Sequence, residues 1–207
     1  MSEFQQLTPK IEQRILEFAK LIDIPNFTNI KTLTIALIHP SRSYEIDISN
    51  EVKDWLEKFH KRLAHLGDAI YNAIVTDCLF ETYPNYSIAD LTESKKLLVN
   101  KSLLFEFAKE LKLQEFCFLG KSEQGKSIEE QEKLFAEMFK AVFGAIYLEF
   151  DRDFSKSRNW LCDRFLNQAI EKLLENEDDE DEDYEFDEYY YSGTVTEDEY
   201  LSMIGYG

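Results

Sequence analysis

No two cysteines in this chain have the CxxC spacing of a zinc site, and the three present, Cys78, Cys117 and Cys162, are scattered and odd in number. Such a set makes a poor disulfide framework. The cysteines are expected to be small buried apolar residues in a reducing compartment. No apolar run approaches the roughly 18 residues needed to span a bilayer, and residues 1–10 are polar, without a signal-peptide core. The expectation is a chain with no membrane partner, in the cytoplasm or its organellar equivalent. Bases are scarce as well: 23 Lys and Arg stand against 41 Asp and Glu, a net charge of −18.

That deficit is local. Residues 175–207 hold 14 acids and no Lys or Arg, which leaves 1–174 with 27 acids, all 23 bases and a net of −4. A near-neutral body can still present a basic face to RNA, but it lacks the overall balance of a dedicated nucleic-acid binder. The change in composition predicts one domain over 1–174 and a separate tail over 175–207. Seven consecutive acids at 177–183 repel one another, so the tail is expected to be disordered. Six tyrosines, with Tyr189-Tyr190-Tyr191 among them, also give it the means to hold a protein partner.

Period-two strand patterns are absent, and helical spacing takes their place. Residues 11–22 repeat apolar side chains at intervals of three and four. A short helix is expected over 30–38, stopped by Pro40, and a long one over 51–83, ended by Pro84. Ser87-Ile88-Ala89-Asp90 approximates a capping box opening a helix through Leu98. Further helices are predicted to about residue 113, over 128–150 and over 153–174, with a loop at 115–127. The fold class is all-α.

Within those helices, Lys61-Arg62-Leu63-Ala64-His65-Leu66-Gly67-Asp68-Ala69 resembles the ribonuclease III signature, usually ERLEFLGDA. The stretch Ala136-Glu137-Met138-Phe139-Lys140-Ala141-Val142-Phe143-Gly144-Ala145-Ile146-Tyr147-Leu148-Glu149 resembles the family's ADALEALIGAIYLD. Leu91-Thr92, Leu98-Val99-Asn100 and Leu119-Gly120-Lys121-Ser122-Glu123 stand where the family shows LT, LVN and LGKGE. Upstream, Leu37-Ile38-His39 to Tyr44 is similar to LTHRSY. The ordered set covers about residues 8–172, and a chain lacking the family's double-stranded-RNA-binding domain is expected.

The resemblance implies a helical domain that pairs with itself and cleaves double-stranded RNA with magnesium. Hard cations are held by carboxylates, and positions i, i+3 and i+7 share one helix face. Here the pattern is broken. Lys61 and Ala64 fill the first two acid positions and Asp68 the third; on the second helix Glu137 replaces Asp and Lys140 replaces Glu. The family's Mini-III branch also has alanine at the Ala64 position, but keeps the acid where this chain has Lys140. Asp68 and Glu137 are therefore read as vestigial catalytic residues, with no metal or cofactor expected unless residual magnesium-dependent activity persists. An ammonium at Lys140 is expected to pair with those acids.

Lys95, Lys96, Lys101, Lys121 and Lys126 are candidate phosphate contacts for structured RNA, although solvated helix faces have the same composition. Gly120 and Gly125 beside Lys121 and Lys126 lack the spacing and the strand of a P-loop. Leu63, His65 and Leu66 mark the expected homodimer face, with His65 where the family places an aromatic plug. Three functions stay open: a noncatalytic RNA-associated or ribonucleoprotein scaffold factor, a divergent double-stranded-RNA endoribonuclease using Asp68 and Glu137, and a protein-interaction module acting through the acidic tail.

Overall fold

A computed structural model of the chain describes the backbone of residues 9–180 and the side chains of residues 11–173. Within it, ten α-helices follow one another: α1 (Pro9–Leu21), α2 (Ile30–Leu37), α3 (Pro40–Ser43), α4 (Asn50–Thr82), α5 (Ile88–Leu98), α6 (Lys101–Glu110), α7 (Leu113–Phe116), α8 (Ile128–Glu149), α9 (Phe154–Leu161) and α10 (Asn167–Glu180). No strand occurs among the described residues; a single parallel bridge joins Ile38 to Phe118. Internal contacts divide the chain into residues 1–171 and 172–207. Everything below concerns the first unit, except that the backbone of the second is helical as far as Glu180.

The caps follow from local sequence. Ser49 accepts a hydrogen bond from the Val52 amide to open α4. Ser87 with Asp90, and Ser127 with Glu130, form reciprocal capping boxes at α5 and α8, each of which satisfies two otherwise orphaned amides. Glu149, the last residue of α8, reaches back to α2: its carboxylate accepts from the Thr28 amide at 2.7 Å and the Asn29 amide at 2.9 Å. A negative charge at that helix start is also favoured by the helix dipole.

Helices α4 and α8 form the centre, and their crossing is set by two glycines. A Cβ on Gly67 would lie 1.9 Å from the Lys140 carbonyl oxygen, and one on Gly144 would lie 2.3 Å from the Leu63 carbonyl oxygen. Backbone therefore touches backbone, closer than any side chain allows. Beyond the crossing, buried Tyr71 meets Phe139 and Phe143 edge-on at 6.1 and 6.4 Å and donates its hydroxyl to the Leu98 carbonyl at 2.6 Å. The Trp160 indole N–H donates to the Ile22 carbonyl at 2.9 Å and ties α9 to the end of α1.

Several predicted boundaries need correction. Pro40 does not merely stop α2; it opens α3, with His39 as the cap, because a proline at the first helical position loses no hydrogen bond. The loop expected from 115 contains the end of α7, which starts after Lys112 turns left-handed at φ 53°. The helix predicted over 153–174 is interrupted by a π-type turn at Cys162–Leu166 and its backbone continues to Glu180. The rest of the expected disordered tail, 181–207, lies outside the described residues.

Candidate functional site

Asp68 follows Gly67 directly, so the close approach of α4 to α8 delivers its carboxylate to the opposite helix. There the Lys140 ammonium stands 3.1 Å from Asp68 Oδ1 and 3.3 Å from Glu137 Oε1. Glu137 and Lys140 share a face of α8 through their i, i+3 spacing. Lys140 is 19 % exposed, against 42 % for Asp68 and 54 % for Glu137. Burial pulls the Lys140 pKa down, but its hydrogen bond to Asp68 and the charges of Glu137 and Asp68 outweigh this and hold it above the ordinary value. The lysine is a fixed cation between two carboxylates.

A magnesium ion would have to be held here by those carboxylates with an ammonium already among them. Such a donor set does not fit a hard divalent cation, which needs several oxygens and no competing positive charge. Ala64 is buried and offers no oxygen side chain. Lys61 turns away: its ammonium pairs with Glu57 Oε1 at 2.6 Å, and the Tyr44 hydroxyl donates to the other Glu57 oxygen at 3.1 Å. Among the described residues no group of three or more His, Cys, Asp and Glu stands in a metal-holding arrangement.

Two histidines outside the candidate site residues, His60 and the motif residue His39, lie nearby. His60, one turn before Ala64, is buried, with Nδ1 3.1 Å from the Ile35 carbonyl oxygen, so Nδ1 carries the donated proton. His39 presents Nδ1 to Ser41 Oγ at 2.8 Å, and the two rings meet edge-on at 6.3 Å. Desolvation is the main cause that lowers both pKa values below the ordinary 6.5. Between that value and the depressed folded ones, the unfolded chain binds more protons, so stability falls as pH falls. The urea midpoint should drop between pH 7 and about 5.5, and the drop should shrink in His60→Gln. An undiminished drop in that variant would show that His60 is not a source of it.

The candidate lysines separate into two groups. Lys96 pairs with Glu93 at 2.5 Å and Lys126 with Glu123 at 2.6 Å, so part of their charge is spent locally. Lys95, Lys101 and Lys121 have no ion-pair partner among the described residues, and Lys101 and Lys121 are exposed. On the expected dimer face, His65 is exposed and Leu66 half-buried, but Leu63 is buried in the chain's own core. A contact between copies would have to use His65 and Leu66. Leu63 lies inward because its carbonyl is the surface against which Gly144 packs, which helical periodicity alone does not reveal.

Comparison with known proteins agrees with this architecture. The ribonuclease III domain model matches residues 61–151. Ribonuclease 3 of Borreliella burgdorferi is 32 % identical over 140 residues, 68 % of this chain and 54 % of the relative. Ribonuclease 3 of Chloroflexus aggregans is 31 % identical over 163 residues, 78 % of this chain and 67 % of the relative. The chain thus spans about half the length of the first of these and two thirds of the second. The nuclease domain of ribonuclease III from Campylobacter jejuni superposes with a TM-score of 0.57 at 23 % identity, over 72 % of this chain and 96 % of that domain, a likeness of fold. With the two helix signatures in order and the α4–α8 crossing in place, the chain belongs to the ribonuclease III family.

Proposed function

We propose that the chain is a noncatalytic ribonuclease III-type protein, an RNA-associated or ribonucleoprotein scaffold factor that works as a homodimer. The observation that carries this reading is the Lys140 ammonium held between Asp68 and Glu137. A lysine there offsets one of the two remaining negative charges and sets an ammonium against any incoming divalent cation. The relatives are named as ribonucleases, which makes structured RNA the natural ligand. Of the candidate lysines, Lys95, Lys101 and Lys121, which form no ion pair among the described residues, are the ones assigned to its phosphates, each contact releasing counterions.

A second reading rests on the same cluster. Asp68 and Glu137 are both accessible and converge on one point, so a divergent endoribonuclease could use them if Lys140 swung aside. A third assigns the function to the tail, as a protein-binding arm. One experiment separates them: the full chain is incubated with labelled double-stranded RNA in magnesium and in chelator, with retention and cleavage read together. Retention without cleavage is expected, and Lys95→Ala with Lys101→Ala and Lys121→Ala should lower the log–log salt slope by roughly two to three. Magnesium-dependent cleavage abolished by Asp68→Asn would overturn the scaffold reading in favour of the enzyme. Absence of retention even at low salt would overturn both RNA readings.

A further inference from the structure

A second close encounter of side chains lies ten residues along α4 from Asp68. Cys78 on α4 and Cys162, which opens the π-type turn, are both buried, and their Sγ atoms stand 3.0 Å apart. An S–S bond is about 2.05 Å long, so closing it needs a movement of only about 1 Å. We propose that Cys78 and Cys162 form a dithiol modification site, which a hydroperoxide oxidises to an intramolecular disulfide tying α4 to the π-type turn. Both cysteines are buried, as expected of small apolar residues, and in addition their thiols are aimed at each other from positions 84 residues apart in sequence.

The surroundings hold the pair in register. Arg158 lies one turn before Cys162 and bridges to both sides of Cys78. Its Nε makes an ionic contact with Asp77 Oδ2 at 2.6 Å, and its terminal nitrogen bonds Glu81. That clamp fixes α9 along α4 so that the thiols face each other. The hydrogen bond between the two sulfurs holds the Cys78 thiol below its ordinary range against the effect of burial, and the Arg158 charge adds to it. The same hydrogen bond, with burial, pushes Cys162 up. The π-type turn carries one residue more than an α-turn, local slack of the kind a small closing movement requires.

Cys78, flanked by the two acids that Arg158 clamps, is the first sulfur to react. The Cys78 thiolate attacks one oxygen of the hydroperoxide; the O–O bond breaks, its electron pair leaves as hydroxide or alkoxide, and Cys78 becomes a sulfenic acid. Cys162 sulfur then attacks Cys78 Sγ, the S–O bond breaks, and the departing hydroxide takes the Cys162 proton as water. Two thiols are oxidised and one peroxide is reduced, to two waters or to water and an alcohol. Cys117 serves as the internal reference: it is buried, its thiol is pushed up by desolvation, and it has no thiol partner among the described residues.

To test this, the reduced full chain is treated with hydrogen peroxide, alkylated in denaturant and mapped by mass spectrometry. The expected product has lost two hydrogens, joins the Cys78 peptide to the Cys162 peptide, retains an alkylatable Cys117, and returns to the starting mass with a dithiol reductant. Cys78→Ser and Cys162→Ser should each abolish the two-hydrogen loss. If either variant fails to fold, the wild-type map decides the matter alone. Folded wild type that accumulates higher oxides on Cys78 without the cross-link, that links Cys117, or that leaves both thiols alkylatable would overturn the proposal.

Discussion

Gly67→Ala is expected to lower the thermal midpoint by about 6–12 °C, equivalent to at least about 3 kcal/mol for a chain of this size. The new methyl group would meet the Lys140 carbonyl at 1.9 Å and the Gly144 amide nitrogen at 2.7 Å. Both are helix backbone, which cannot rotate away as a side-chain tip can. Relief therefore requires α4 and α8 to separate along the whole crossing, which opens voids around Tyr71, Phe139 and Phe143. Gly125 supplies the contrast. It has φ +80° with open space around its Cβ position, so Gly125→Ala should cost only the backbone strain of a left-handed residue, about 1–2 kcal/mol. Circular dichroism melts of the two variants check the ranking. Equal losses would contradict the tight crossing, and with it the delivery of Asp68 to Lys140.

The second large effect concerns charge. Lys140→Glu removes the cation and places a third carboxylate beside Asp68 and Glu137. Without divalent ions the variant should be less stable than wild type by about 1 kcal/mol, the loss being limited because both native carboxylates are well solvated. Manganese should then reverse the order. A metal that binds only the folded state stabilises it by about 2.7 kcal/mol at a hundredfold excess over its dissociation constant. The rise in thermal midpoint should exceed whatever rise manganese produces in wild type, where ions can also gather on the acidic run at 177–183. Lys140→Gln controls for loss of charge alone and should show no such gain. A Lys140→Glu midpoint that responds to manganese no more than wild type would mean the three positions do not converge.

Both effects depend on features of unequal visibility in the sequence. Long helices were legible because α4 and α8 carry sustained 3.6-residue periodicity, with Pro84 marking the end of the first, whereas their caps at Ser49 and at Ser127 with Glu130 emerge only in the structure. The juxtaposition of Asp68, Glu137 and Lys140 was legible through the family register together with the i, i+3 spacing on α8. Short helices were not, since four residues at Pro40–Ser43 or Leu113–Phe116 are held by tertiary contacts rather than by propensity. Leu63 lies inward rather than on the expected dimer face, since an amphipathic pattern gives a stripe and not the partner that covers it. The Cys78–Cys162 encounter and the placing of His60 beside Ile35 depend on long-range packing, for which one sequence contains no signal. Lys61, by contrast, has its partner Glu57 one turn earlier, a pairing the i, i+4 rule would have found.

The claim that Lys140 takes the place of a divalent cation is tested most directly by manganese titration of the wild-type chain, read residue by residue as paramagnetic broadening of amide resonances. Residue-level reading keeps the acidic run at 177–183 apart from the helix crossing. With the ammonium fixed 3.1 Å from Asp68 and 3.3 Å from Glu137, the amides of Gly67, Asp68, Glu137 and Lys140 should stay sharp while any weak binding shows in the acidic run. Selective broadening of those four amides at substoichiometric manganese would contradict it.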